Sequence, residues 1–181
     1  MGTKCKFKNG MQVFSSKPMM ISAGGVVTTN QQVASSIVET AVLSETIYAD
    51  TLDSTGMGFR VFIAGEISSS GSGDITLTLR YGTTDILALV TAALIDEDDK
   101  PFKAEWTGHI LTAGSSGKVV ASAFGTFFQA TPLYFATDTA NTGASVDLTA
   151  DGSLNVTAHW DNSSADDDII VTHGWIELYN Q

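Results

Sequence analysis

Two acidic runs are the densest concentration of chemically active side chains in the sequence. One covers Asp96 to Asp99 and the other Asp166 to Asp168. Clustered carboxylates can bind Ca²⁺, but neither run has the spaced ligands of a calcium loop, and adjacent side chains on an extended backbone point apart. We therefore expect solvated loops here and no metal site.

Motifs for catalysis are incomplete. His109, His159 and His173 are far apart and lack the spacing of zinc ligands. The sequence AGSSGK ends in Lys118, but Val119 follows where a phosphate loop needs Ser or Thr. A glycosidase-type carboxylate pair stays an open alternative, because its separation is a three-dimensional property. We expect no enzyme activity and no cofactor.

Charge is unevenly distributed along the 181 residues. The first 17 residues hold four lysines and no acid, whereas the other 164 hold 5 basic and 20 acidic residues. An acidic body disfavours nucleic acid, which needs a basic surface. No apolar run approaches the ~20 residues of a membrane span, and no signal-peptide pattern follows the basic start. The single cysteine, Cys5, excludes an internal disulfide and is typical of assembly in a reducing compartment.

The tryptophans could belong to a core or to a sugar-stacking surface. Trp160 is in phase with apolar neighbours, which predicts burial. Trp175 is in phase with His173, Glu177 and Tyr179, which predicts exposure at a ligand site or a subunit interface.

The chain must position these residues mainly on β-strands. From Ile37 onward, short apolar segments with turn signals recur about every 8–12 residues, the pattern of an all-β sandwich or barrel. Strands at Phe59–Ile67 and Asp74–Tyr81 flank a Ser/Gly loop. A simple hairpin would place Arg60 opposite Arg80, and Glu66 opposite Asp74, which is unfavourable. A shifted register avoids this, but the long loop favours a jelly-roll crossover between two sheets.

The remaining elements follow from local patterns. Strands are expected at Ile37–Leu43, Glu45–Ala49, Phe102–Thr112, Lys118–Phe128, Pro132–Thr137, Ala144–Thr149, Ser153–Trp160 and Ile169–Tyr179. Asp85–Thr91 is either a buried strand or a short helical turn, and Ile95–Lys100 is expected to be a charged loop. Asp151-Gly152 predicts a tight hairpin between its two flanking strands.

Residues 1–36 are predicted to form an extended N-terminal arm before a domain at 37–181. Asn9-Gly10 could fold the first residues into a hairpin. Residues 18–36 are uncharged and form either a linker or a segment lying along another surface. The arm residues expected to bind a partner are basic or apolar: Lys4, Lys6, Phe7, Lys8, Met11, Val13, Phe14 and Lys17.

Several segments together resemble a type of tailed-phage virion protein with a jelly-roll domain. They are TIYADTL (Thr46–Leu52), GFRVFIAGEI (Gly58–Ile67), GDITLTLRYGTT (Gly73–Thr84), FKAEWTGHILTAGSSGKVVASAFGTF (Phe102–Phe127) and SLNVTAHWDNSSADDDIIVTHGWIEL (Ser153–Leu178). The resemblance implies a jelly-roll-like antiparallel β-sandwich that assembles as a homotrimer. It also implies a head decoration (cement) protein or a tail-fibre domain, with no catalytic residue.

Two functions follow as hypotheses. In the first, a trimeric decoration protein, assembled in the host cytoplasm, attaches through its arm to the major capsid protein or another virion protein and stabilises the head. In the second, a tail-fibre or spike domain binds host-surface glycan. Neither involves nucleic acid or a membrane.

Overall fold

A computed structural model describes residues 5–6, 12–13, 19–24, 31–71, 73–91, 96–127, 133–138 and 143–180. These residues form strands and turns and no helix, and none of their segments could cross a membrane as an apolar helix. The strands are β1 (Cys5–Lys6), β2 (Gln12–Val13), β3 (Met19–Gly24), β4 (Gln31–Ala34), β5 (Thr40–Ile47), β6 (Gly58–Ser70), β7 (Ile75–Tyr81), β8 (Thr84–Val90), β9 (Asp96–Thr112), β10 (Gly117–Phe127), β11 (Leu133–Asp138), β12 (Ala144–Val146), β13 (Gly152–Trp160) and β14 (Asp168–Asn180).

Strands β3 to β14 form two antiparallel sheets that pack as a sandwich, and β1 and β2 pair separately. The larger sheet has the order β11-β10-β9-β6-β14-β3, with β12 also beside β10 and β4 also beside β14. The smaller sheet has the order β5-β13-β7-β8. The predicted all-β, sandwich-like fold is confirmed.

The core between the sheets follows from period-2 alternation. On β6, Val61 and Ile63 are fully buried, and on β7 so are Leu77 and Leu79. Burying each such side chain contributes about 1.5–3 kcal/mol relative to leaving it exposed. Trp160 is also fully buried, as its phase predicts.

The chain crosses from one sheet to the other between β6 and β7. β6 pairs with β9 and β14, whereas β7 pairs with β8 and β13. The predicted crossover is therefore confirmed, and the hairpin alternative is wrong. The like charges are separated as a result: Arg60 pairs with Glu105 on β9, and Arg80 pairs with Asp85 on β8.

The predicted charged loop at 95–100 is wrong for residues 96–100, which begin β9. Asp96 pairs with Ser70 and Glu97 with Ser69, so the acidic run extends the ladder to the Ser-rich end of β6. The register shifts between Ile67 and Ser69, and Asp99 has φ +50°. This local irregularity allows a run of like charges to continue as a strand.

The hairpin predicted at Asp151-Gly152 is also wrong. β12 pairs with β10 in the larger sheet, whereas β13 pairs with β5 and β7 in the smaller one. The chain changes sheets here. The Asp151 carboxylate accepts a hydrogen bond from the backbone N–H of Ala49 (2.8 Å) instead of closing a two-residue turn.

Two further segments can be compared with the sequence expectations. A single strand, β5, replaces the two strands expected at 37–43 and 45–49. Thr84–Val90 is the strand β8, which decides against the helical turn.

Part of the predicted arm lies along the larger sheet. Gly24 of β3 pairs with Ile176, and Ala34 of β4 pairs with Asp168, so both strands flank β14. Val33 is buried in the core. The surface along which residues 19–24 and 31–34 lie is therefore the chain's own sheet. The division at residue 36 stays a prediction.

Candidate functional site

The predicted partner-binding residues lie at the start of the chain. Lys6 is in β1, opposite Gln12, and Val13 is in β2, opposite Cys5. This antiparallel pairing agrees with the expected hairpin, although Asn9-Gly10 lies outside the described residues. The other partner-binding residues also lie outside them: Lys4, Phe7, Lys8, Met11, Phe14 and Lys17.

The arm enters the sandwich at one particular end. Met19 pairs with Asn180, the last residue of β14. That end also holds the start of β6, where Gly58 pairs with Tyr179. We call this end of the sandwich, to which residues 1–18 are joined through Met19, the arm end.

The opposite end collects both acidic runs. Asp96 lies beside Ser70, and Asp168 lies beside Ser68, on the two sides of β6. Asp74 and Asp161 join them, because the backbone N–H of Asp161 donates to the carbonyl of Asp74 (3.0 Å). We call the nine acidic residues at 74, 96–99, 161 and 166–168 the acidic pole. Lys100 is the basic residue next to them in this part of the chain.

Asp167 is the buried residue of the acidic pole, with no exposed surface. Its Oδ1 accepts the backbone N–H of Ser70 (2.7 Å), and its carbonyl accepts the N–H of Ser35 (2.7 Å). Its Oδ2 is buried with no hydrogen-bond partner. Because buried polar atoms are normally satisfied, this oxygen marks a place where a donor is missing.

An exposed apolar pair lies next to the acidic pole. Ile37 is 62% exposed and Val38 is 69% exposed. They follow Ser36, whose carbonyl accepts the backbone N–H of Trp160 at the end of β13 (2.9 Å). The Ser36 hydroxyl also accepts the N–H of Val38 (3.1 Å), so the turn that presents both side chains is ordered.

A second candidate surface lies on the outer face of the larger sheet. Trp175 stacks on Phe62, with ring centroids 5.4 Å apart and planes inclined by 19°. The Arg60 guanidinium lies 5.5 Å from the centre of the Trp175 ring. Arg60 also forms two hydrogen bonds with Glu105, at 2.7 and 2.9 Å, and these raise the pKa of Arg60. Phe62 points away from the core residues of β6, and on this outer face Trp175 covers it and leaves it half-buried.

The three histidines are not brought together. His109 lies on β9, His159 on β13 and His173 on β14, where the Thr172 hydroxyl lies 2.8 Å from Nδ1. Within the described ranges, no three His, Cys, Asp or Glu side chains form a metal-binding group.

Two titratable groups near the arm end have shifted pKa values. Burial raises the pKa of Tyr81, and the nearby carboxylates of Asp147 and Asp151 raise it further. Hydrogen bonds from the hydroxyl and N–H of Thr149 lower the pKa of Asp147. Both carboxylates accept hydrogen bonds, Asp147 from Thr149 in a local turn and Asp151 from the distant backbone of Ala49.

Sequence reasoning treated the two acidic runs separately and missed the acidic pole. About 70 residues lie between the runs, and no local pattern connects them. The two runs meet only because β9 and β14 both pair with the end of β6, which no local pattern specifies.

Comparisons with known proteins give distant structural similarities. No family model and no curated protein matches the sequence. The CBM2 module of the evolved Dit of Lactobacillus casei BL23 phage J-1 is similar at 14% identity and a TM-score of 0.37, over 77% of this chain and 69% of that one. A chain of the infectious bursal disease virus Gx strain is similar at 15% identity and a TM-score of 0.39, over 98% of this chain and 36% of that one. At these TM-scores, neither similarity bears on the function of this chain.

Proposed function

We propose that this chain is a non-enzymatic structural protein of a tailed-phage virion. It is a homotrimeric decoration (cement) protein, assembled in the host cytoplasm, that attaches to the outer capsid surface through its N-terminal arm and stabilises the head. Its partners are further copies of itself and the major capsid protein or another virion protein. Nucleic acid and membranes are not among them, because the body carries 20 acidic against 5 basic residues.

The observation that carries the proposal is a basic, amphipathic segment fixed to a rigid sandwich. β3 and β4 hold residues 19–24 and 31–34 against β14, so residues 1–17 start from a defined point. Their alternating lysines and apolar residues suit strand addition to the edge of a neighbouring sheet. Three such segments on one trimer would add avidity to a weak individual contact.

The test uses the full-length chain, because deleting residues 1–36 would also remove β3, β4 and the buried Val33. Four lysines are replaced together: Lys4→Gln, Lys6→Gln, Lys8→Gln and Lys17→Gln. Co-sedimentation with undecorated capsids of the phage that encodes the chain should be lost for this variant. It should also weaken for the parent at high salt.

A control variant, Lys103→Gln with Lys118→Gln, removes lysines of the sandwich and should bind like the parent. Both residues lie on the larger sheet, on β9 and β10, which are three and four strands away from β3. Undiminished capsid binding by the four-lysine variant would show that the basic arm is not the attachment site.

A tail-fibre or spike domain that binds host-surface glycan is the second candidate. The Phe62–Trp175 stack with Arg60 and Glu105 favours it, because sugars bind to aromatic rings beside polar side chains. A glycan array would test it. Binding that disappears in Trp175→Ala, together with no affinity of the parent for capsids, would favour this function over decoration.

A further inference from the structure

The two ends of the sandwich have complementary properties. The arm end continues into residues 1–17, with four lysines and no acid. The acidic pole carries nine acidic residues beside one lysine. Apolar residues accompany both charges: Phe7, Met11, Val13 and Phe14 in the arm, and exposed Ile37 and Val38 at the acidic pole.

The backbone of the arm, with β1 and β2 paired and the residues between β2 and β3 fully extended, does not span the distance to the acidic pole of its own chain. β6 and β14 each have 13 residues, which separates the two ends by about 40 Å at about 3.3 Å per residue. The six Cα steps from Val13 to Met19 span at most about 21 Å. Because β1 and β2 pair, the hairpin adds only about 13 Å more.

We propose that the acidic pole binds the basic arm of a second copy of this chain, so that copies associate head to tail. The ammonium groups of the arm lie among the exposed carboxylates of Asp96, Asp98 and Asp166. The apolar arm residues cover Ile37 and Val38. Asp167 has no exposed surface, so its unpartnered Oδ2, which lies against Gly73 and beside Asn162, does not contact the arm but adds to the negative potential that favours a cationic occupant on this side of the fold.

Such a contact is heterologous, since each copy gives an arm and receives another. Repetition either closes into a ring or continues as a filament, depending on the rotation between copies. In a closed ring every arm is bound by a neighbouring copy, so this contact and attachment to a capsid are alternative uses of the same arm. The inference concerns the contact between copies and does not rest on attachment to a capsid.

The test compares three full-length variants by sedimentation velocity at about 0.1 M salt, where the Debye length is about 10 Å. The arm variant has Gln at the four lysine positions. The pole variant carries Asp96→Asn, Asp98→Asn and Asp166→Asn, all at exposed positions. The control variant removes three acids nearer the arm end, Asp50→Asn, Asp53→Asn and Glu177→Gln. The parent and the control should associate, whereas the arm and pole variants should each stay monomeric.

Mixing the arm and pole variants gives the deciding result. One mixed contact remains possible, between the intact arm of the pole variant and the intact pole of the arm variant. The mixture should therefore form a 1:1 dimer and nothing larger. In about 1 M salt, where the Debye length is about 3 Å, the dissociation constant should rise at least about tenfold.

The inference is overturned by a monomeric parent, by self-association of either variant alone, or by a mixture that stays monomeric. Association that EDTA abolishes, and that the arm variant retains, would assign the pole to a divalent cation and would also overturn it. The two proposals can be distinguished. An arm variant that stays trimeric but no longer binds capsids supports attachment through the arm and contradicts the head-to-tail contact.

Discussion

Two substitutions at Asp167 separate its hydrogen-bonding role from its charge. Asp167→Asn keeps an oxygen that can accept the N–H of Ser70, whereas Asp167→Ala removes the acceptor. The Ala variant loses the hydrogen bond from the part-buried N–H of Ser70 to a charged acceptor, which costs about 1–3 kcal/mol. It also removes side-chain packing on Gly73, which we estimate at a further ~1 kcal/mol. We expect Asp167→Ala to be less stable than Asp167→Asn by about 2–4 kcal/mol.

The Asn variant should be at least as stable as the parent. Its hydrogen bond to Ser70 becomes neutral and weakens by about 1 kcal/mol. This loss is offset because the substitution removes a buried carboxylate whose Oδ2 has no donor and which lies among other acids. The new amide nitrogen would also lie near the side chain of Asn162, since both Asn162 and Asp167 pack against Gly73.

Urea unfolding followed by far-UV circular dichroism gives both differences. If Asp167→Asn loses more than about 2 kcal/mol, the carboxylate charge is stabilised by something bound to it, and the reasoning about Oδ2 is wrong. If the Asn and Ala variants are equally stable, the hydrogen bond to Ser70 does not stabilise the crossover.

Three further predictions follow. A side chain at Gly65 would overlap the carbonyl oxygen of Ile170 across the β6–β14 ladder, so Gly65→Ala should destabilise the fold by about 3 kcal/mol or more. The control Ala64→Gly should cost only about 0.5–1 kcal/mol. Equal free-energy costs of the two substitutions in urea unfolding would contradict the overlap. Trp175 is partly exposed, whereas the other two tryptophans are fully buried. Acrylamide should therefore quench the tryptophan fluorescence of the parent clearly more than that of Trp175→Phe. Equal quenching of the two proteins would contradict this burial pattern. The pKa of Tyr81 is raised in the folded state, so at alkaline pH the unfolded state loses the phenolic proton first. The contribution of Tyr81 to folding stability is therefore complete below pH ~10 and is lost as the pH rises further. Tyr81→Phe should flatten stability above that pH, and an unchanged alkaline slope would refute the assignment.

The sandwich and its first crossover could be predicted because side-chain alternation and like-charge repulsion are local properties. Placing Arg60 opposite Arg80 is unfavourable, and the structure places them in different sheets with separate acidic partners. The start of β9 could not be predicted from its composition. The run beginning at Asp96 has low strand propensity, and the fold overrides it by pairing the run with the end of β6.

The Asp151-Gly152 turn shows the limit of a local turn signal. Such a pair favours a tight turn, but it does not specify whether the flanking strands pair with each other. Here the long-range partners of β13 decide the outcome. The acidic pole was missed for a related reason, since it exists only once strands distant in sequence end side by side.

The place of β14 in the sheet has a consequence for synthesis of the protein. β14 lies between β6 and the pair β3 and β4, yet it is translated about 100 residues after β6. At about 5–20 residues per second, the ribosome needs roughly 5–20 s to deliver it. During that time one ladder edge of β6 stays unpaired, as do the edges of β3 and β4 that β14 will occupy. The larger sheet therefore closes only after β14 has left the ribosome, and a chain that stops before β14 exposes strand edges that are prone to aggregation.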